Sequence, residues 1–298
     1  MNIMTKSLML EVTFIGTSGS IPTTERGMPA LSIKYESELL LFDCGEGTQR
    51  QMMKYKVGFG SINAIFISHS HMDHYIGVFG LLETLRLSSA SPKPLMIFAP
   101  SVLEETFSRG YKFVSVEKLK KGVIYTGRGF SVSAFPVKHN RGSSGFVFQE
   151  EDRLKFDEAK AKGLGIRGRL FSEIQNKGSV VVGGRKIALE EVTWKKPGRK
   201  IVYSGDCPYC ESTVEAAEGA DLLVHESTFD ASKKTEALER SHSTVEDAAE
   251  VAKKAGVKRL VLTHISPRYS DETASLLEAA RKIFQNTAIA EDGMKIQL

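Results

Sequence analysis

Apolar and polar positions alternate over residues 8–15 as in a half-buried strand, and 31–35 and 39–42 read as two more, joined by the polar turn Glu36-Ser37-Glu38. The chain therefore opens on a hairpin. From residue 64 the pattern changes to short continuous apolar runs separated by stretches of helical period. A strand at 64–67 precedes a helix near 77–87, and a strand at 95–99 precedes one near 102–109. The second half repeats that rhythm with strands at 201–204, 222–224 and 260–262, a helix near 245–255 and another over 272–284. Such alternation predicts an α/β protein with mixed sheets, and two βα-rich halves predict a sandwich of two sheets with helices outside. Residues 150–200 break the rhythm, being charged and rich in Lys, Arg and Gly, with a Gly183-Gly184 hairpin turn between short apolar runs. They read as an inserted, protruding segment.

Composition narrows the class without fixing the chemistry. With 298 residues, 41% hydrophobic and 26% charged, the chain is neither collagenous nor disordered, and it can bury the core of one large domain or two small ones. Cys44, Cys207 and Cys210, an odd number in a long chain, fit a reducing, cytoplasmic compartment better than secretion. Residues 1–10 lack the basic start and apolar core of a signal peptide, and no apolar stretch approaches the ~20 residues of a membrane-spanning helix. A net charge of +4 mildly favours a polyanionic partner. Thirteen Lys or Arg against eight Asp or Glu make 150–200 more basic than the whole, either a grip for a phosphate backbone or a solvated insertion.

The densest chemistry is His69-Ser70-His71-Met72-Asp73-His74, directly after the apolar strand at 64–67. Three imidazoles and a carboxylate so close together are costly unless a metal holds them. In an extended segment His69 and His71 project to one side, and a turn opening the next helix aims Asp73 and His74 at a second point nearby. Two adjacent cations fit, and nitrogen and oxygen donors without thiolate suit catalytic zinc while remaining compatible with Mn or Fe. Downstream, His139, Asp206 and His264 each follow an apolar strand. Alone, each would read as a hydrogen-bonded residue at a strand end; together with the His-rich turn they favour a metal, because strand ends along one sheet edge converge. Asp206 is placed to bridge two cations, with a bridging hydroxide as nucleophile. Asp43, in a glycine-rich turn, either orients the metal-binding loop or ends a strand. Cys207 and Cys210 have C-x-x-C spacing but no second pair, which argues against redox or zinc chemistry. Ser243 or Thr244 can cap the helix near 245, whose N-terminus attracts phosphate. Arg268 and Tyr269 read by default as an exposed loop pair.

These residues resemble a family. The run at 69–74 matches the signature of the metallo-β-lactamase superfamily. Gly16-Thr17-Ser18-Gly19-Ser20-Ile21-Pro22, Phe42-Asp43-Cys44-Gly45-Glu46-Gly47-Thr48-Gln49, Ser204-Gly205-Asp206, His225-Glu226-Ser227-Thr228, His242-Ser243-Thr244 and Leu262-Thr263-His264-Ile265-Ser266 narrow the match to the tRNase Z family of tRNA 3′-end endonucleases. The resemblance spans nearly the whole chain. It implies a four-layer αβ/βα sandwich, one domain over 1–298 with a flexible arm inserted at 150–200. It also implies two zinc ions per chain, one on His69, His71 and His139 and one on Asp73, His74 and His264, bridged by Asp206. Asp73 would move a proton, and His242, supported by Glu226, would act as general acid. The substrate would be precursor tRNA, losing its 3′ trailer. The arm would grasp the tRNA elbow, with Arg167 and Arg169 as contacts beside Thr244 and Arg268 nearer the cleft, and a homodimer would let one subunit's arm serve the other's site. Gly163-Leu164-Gly165-Ile166-Arg167-Gly168-Arg169-Leu170 stands where the family commonly has a proline-rich Gly-Pro motif.

Two other functions compete. A small-molecule or thioester hydrolase would use the same metal site, but the 225 and 242 loops and the basic insertion argue against it. A non-catalytic RNA-binding module with a structural metal would need fewer than the seven candidate ligands present.

Overall fold

The structure is a computed structural model that describes residues 9–108, 110–269 and 272–298. Its first strands are β1 (Leu10–Gly16), β2 (Ala30–Tyr35) and β3 (Glu38–Phe42), followed by α1 (Thr48–Lys54), β4 (Ile62–Phe66), α2 (Gly77–Ser88), β5 (Leu95–Ala99), α3 (Glu104–Ser108) and β6 (Val114–Lys118). Next come β7 (Gly122–Gly127), β8 (Phe130–Pro136) and β9 (Ser144–Glu150). The inserted segment holds β10 (Arg153–Phe156), α4 (Glu158–Gly163), α5 (Arg169–Lys177), β11 (Ser179–Val182), β12 (Arg185–Ala188) and β13 (Thr193–Lys196). The chain then forms β14 (Lys200–Tyr203), α6 (Glu211–Ala217), β15 (Leu222–Glu226), α7 (Lys234–Glu239), α8 (Val245–Ala255), β16 (Leu260–Thr263), α9 (Thr273–Ile283), β17 (Thr287–Ile289) and β18 (Lys295–Gln297). Leu8 and Arg109, the expected ends of the first strand and of a helix near 102–109, lie outside the described residues. That helix is shorter than expected, because Ser101–Leu103 forms a 3-10 turn ahead of α3.

Two seven-stranded sheets make the main body, ordered β18-β1-β2-β3-β4-β5-β6 and β17-β16-β15-β14-β9-β8-β7. The mixed α/β sandwich expected from the sequence is the fold observed. Strands β3 to β6 pair in parallel, as do β14 to β17. Central strands are buried on both faces, so they read as continuous apolar runs rather than alternating ones. In β3, Leu40 and Phe42 join the core between the sheets while Leu39 and Leu41 pack under the helical layer with Met52 and Leu81. In β16, Val261 faces inward and Leu260 and Leu262 meet Val245 and Ala249 of α8. Phe42, Phe66 and Phe98 stack across the first sheet, with ring centroids 4.9 and 5.0 Å apart.

The chain divides into two compact units, Met1–Gln149 with Lys200–Leu298, and Glu150–Arg199. The second has its own small core of Ala161, Ile166, Ile174, Val180, Ile187 and Val192. Gly183 and Gly184 adopt positive φ between β11 and β12, as the hairpin there requires.

Candidate metal centre

Every residue expected to bind a metal sits just beyond the carboxyl end of a strand. The run at 69–74 follows β4, His139 follows β8, Asp206 follows β14 and His264 follows β16. His71 is extended but His69 lies in a bend, not in the extended run expected, and their ring centroids are 4.7 Å apart; the 3-10 turn Met72–His74 redirects the next side chains. Glycines let the neighbouring loops close on this turn. A Cβ at Gly45 would sit 2.3 Å from the Asp73 carbonyl oxygen, and one at Gly19 would sit 2.6 Å from His264 Nδ1.

The ligand atoms gather in two sets. His69, His71, His139 and Asp206 each bring one within 4.8 Å of the others, and Asp73, His74 and His264 do the same. Asp206 Oδ2 lies between the sets, 3.6 Å from His69 Nε2, 3.2 Å from His74 Nε2, 3.9 Å from His139 Nε2 and 3.3 Å from His264 Nε2. Among the described residues, no hydrogen bond satisfies the buried Nε2 atoms of His69, His74 and His264 or Asp206 Oδ1. Burying such groups unpaired is costly, so this donor set fits metal cations.

The other nitrogen of each buried imidazole is held by the protein, which fixes the ring and leaves the ligating atom free. Asp43 Oδ2 accepts from His74 Nδ1 at 2.7 Å, the Ser241 carbonyl accepts from His139 Nδ1 at 2.9 Å, and the hydroxyls of Ser68 and Thr228 contact Nδ1 of His69 and His264, both at 2.9 Å. Asp43 also accepts from the Ser68 amide at 2.7 Å and the Tyr203 hydroxyl at 2.8 Å, so it orients the loop. Burial keeps His69 and His139 below the usual imidazole range, in the neutral form a metal needs. Asp206 is also buried, yet the charges of His264 and His74 outweigh that and hold it well below the carboxylate range. Burial of His74 is likewise outweighed, here by Asp206 and Asp43, which raise it well above its ordinary value; a cation binding there would displace its proton.

Beside the two sets, Glu226 Oε1 accepts from His242 Nδ1 at 2.8 Å. Burial works against a charged imidazole, but Glu226 outweighs it and His242 is raised to about 9. The same carboxylate accepts from the backbone amides of Cys207, Thr228 and Ser243 and from the Thr228 hydroxyl. His242 also falls in a third possible ligand set with Asp206 and His264. Thr244 is buried, and its hydroxyl accepts from the Asp247 amide as the cap of α8. Arg268 makes a two-pronged pair with Glu236 at 3.1 Å and lies over the Phe229 ring. Arg167 and Arg169 are exposed in the other unit. Cys207 and Cys210 are buried and reduced, and neither enters such a set. Sequence reasoning missed Ser68, Tyr203, Thr228 and Ser241, because contacts between strand-end loops far apart in the chain have no spacing to read.

A family model described as a beta-lactamase superfamily domain matches residues 190–265, and one described as anti-Pycsar protein Apyc1 matches residues 10–160. The chain is 45% identical to ribonuclease Z of Archaeoglobus fulgidus over 98% of each chain. It is 42% identical to ribonuclease Z of Methanosarcina acetivorans, over 97% of this chain and 98% of that one. Among solved structures it resembles human tRNase Z, short form, with TM-score 0.69 and 30% identity over 96% of this chain and 98% of the other. A metallo-β-lactamase fold protein from Bacillus subtilis matches with TM-score 0.74 at 20% identity, over 97% of this chain and 100% of that one.

Proposed function

This chain belongs to the ribonuclease Z family of metal-dependent nucleases, and on that premise we propose that it is a zinc-dependent endoribonuclease that removes the 3′ trailer from precursor tRNA and leaves a 3′-hydroxyl on the tRNA. The observation that carries this reading is the pair of ligand sets with Asp206 Oδ2 lying between them, and the His242–Glu226 pair beside them. His69, His71 and His139 would hold one zinc, Asp73, His74 and His264 the other, and Asp206 would bridge them. When bound, the two cations supply Lewis-acid stabilisation of the phosphate's non-bridging oxygens and favour ionisation of the attacking water.

The protein's own groups do the rest. Asp73 is partly buried, but the approach of His264 Nε2, 3.8 Å from its carboxylate, and the charge of His74 outweigh burial and keep it ionised, so it can take the proton of the attacking water. His242 Nδ1 is committed to Glu226, which leaves Nε2–H to protonate the departing 3′ oxygen. The N-terminus of α8, capped by Thr244, adds backbone amides that favour an anion nearby.

Residues 150–200 would grip the tRNA away from the chemistry, through Arg167, Arg169 and the surface around Trp194. Strands β10 and β13 pair Lys155 with Trp194 and Arg153 with Lys196, which puts an exposed aromatic among three cations on one face. Stacking plus charge suits RNA. Exposed Met53, Phe79 and Leu87 on α1 and α2 leave apolar surface consistent with a homodimer. A cytoplasmic location fits the substrate, and among the described residues no helix is long and apolar enough to cross a membrane.

Incubating the purified protein with a precursor tRNA tests the reading. One cut is expected, giving a tRNA with a 3′-hydroxyl and a trailer with a 5′-phosphate, abolished by a chelator and restored by zinc. Absence of a cut, or a cut indifferent to the chelator, would refute it.

A further inference from the structure

A groove of about 820 Å³ opens off the metal centre at Ser70, His71 and Asn140. Lys118, Lys120, Lys121 and Arg141 line it, and among the described residues no Asp or Glu does. That charge is local. Residues 150–200 carry an excess of five cations in a chain whose whole excess is four, so the remainder of the chain is slightly acidic. All four groove cations are exposed, and among the described residues none is in an ion pair. Pro100, Val102 and Phe135 supply apolar surface between them. Cations along a groove with apolar faces inside suit single-stranded nucleic acid, whose backbone is anionic and whose bases are flat and weakly polar.

The walls are held in place. The Leu119 amide donates to the Ala99 carbonyl at 3.0 Å, fixing the lysine-bearing connection between β6 and β7. Across the groove, Ser143 Oγ donates to Asn140 Oδ1 at 2.7 Å, so the loop carrying Arg141 is braced right beside the ligand His139. Gly142 has φ +88, and a Cβ there would stand 3.8 Å from Pro100, which brings the two walls together.

The direction follows from the order of the imidazoles. His139 Nε2 lies 3.1 Å from His71 Nδ1, and the His139 ring is 4.9 Å from that of His242. His139 therefore stands between His71, at the mouth of the groove, and His242, which would protonate the leaving 3′ oxygen. The tRNA departs on the His242 side, and the strand that keeps the phosphate continues past His71. We propose that this groove binds the first nucleotides of the single-stranded 3′ trailer, held by Lys118, Lys120, Lys121 and Arg141 through its phosphates. The inference rests on the endonuclease reading above.

Precursor tRNAs with trailers of one and of eight nucleotides, cut by the wild-type protein and by the Lys118→Ala/Lys120→Ala/Lys121→Ala variant, test it. On the long trailer KM should rise roughly tenfold, and the slope of its logarithm against log salt should fall by about two, as three single-strand phosphate contacts are lost. On the one-nucleotide trailer KM should change less than twofold. Unchanged KM and salt slope on the long trailer would overturn the assignment, and so would equal rises on both substrates, which would move the groove to the tRNA body. A wild-type protein that cuts neither precursor would overturn the function itself, and the groove's role with it.

Discussion

His242 and Thr244 stand two residues apart at the start of α8, and the capping task the sequence allowed for this stretch falls to Thr244, which leaves His242 free of it. Thr244 caps the helix, while His242 is tied by Nδ1 to Glu226. A helix cap is worth about 0.5–2 kcal/mol and acts alike on every substrate, whereas a general acid acts only where the leaving group needs a proton. His242→Ala should therefore cut turnover of an RNA phosphodiester roughly 10²–10⁴-fold, while hydrolysis of a nitrophenyl phosphodiester, whose leaving group is already stable, falls far less. Glu226→Gln should show the same selectivity more weakly. It should also shift the alkaline limb of the turnover profile to lower pH, since the carboxylate is what raises His242 to about 9 against the effect of burial. Equal losses on both substrates, with metal content and folding intact, would remove the assignment. At this scale the sequence marks the candidate metal ligands, because His and Asp in such density have few other uses. It does not mark Thr228 or Ser241, common polar residues whose importance comes only from which loop they face.

Strands and helices differed in how clearly they could be read. The strands at 64–67 and 222–224 stand out because burial on both faces removes polar positions, and α8 stands out through its cap and its apolar stripe. Short helices such as α1 and α7, and the edge strands β17 and β18, carry too few turns or ladder pairs to leave a period. Within residues 150–199 the Gly183-Gly184 hairpin was legible, but the pairing of β10 with β13 joins positions about forty residues apart and was not. That pairing is what places Trp194 beside Lys155. Trp194→Ala should weaken precursor tRNA binding by about 1–3 kcal/mol if a base stacks there, and charge reversal at Arg167 and Arg169 should lower affinity and flatten its salt dependence as fewer counterions are released. Both variants should leave hydrolysis of a small phosphodiester intact, because a remote grip contributes binding rather than chemistry. Retention of wild-type tRNA affinity and salt slope in both would return this segment to a solvated insertion.

For the molecule as a whole, the candidate metal ligands come from loops of both sheets. His69, His71, Asp73 and His74 follow β4 of the first sheet, and His139, Asp206 and His264 follow strands of the second. Bound cations would therefore tie together the two halves of the sandwich at one edge, where buried nitrogens and a carboxylate oxygen find no hydrogen-bond partner among the described residues. A ligand that binds only the folded state stabilises it by about 4 kcal/mol when present at a thousand times its Kd. Two such ions should raise Tm by more than ten degrees at roughly 2 °C or more per kcal/mol. Exhaustive chelation is thus expected to lower Tm by that order, and zinc to restore it with two equivalents per chain by elemental analysis. Asp206→Ala should remove the shared ligand and, with it, one equivalent and most of the zinc-dependent rise. A fully active preparation holding one equivalent would reject the paired centre. A chelator-insensitive Tm would mean that the sandwich closes without its metals, and that the buried ligand atoms are satisfied in another way.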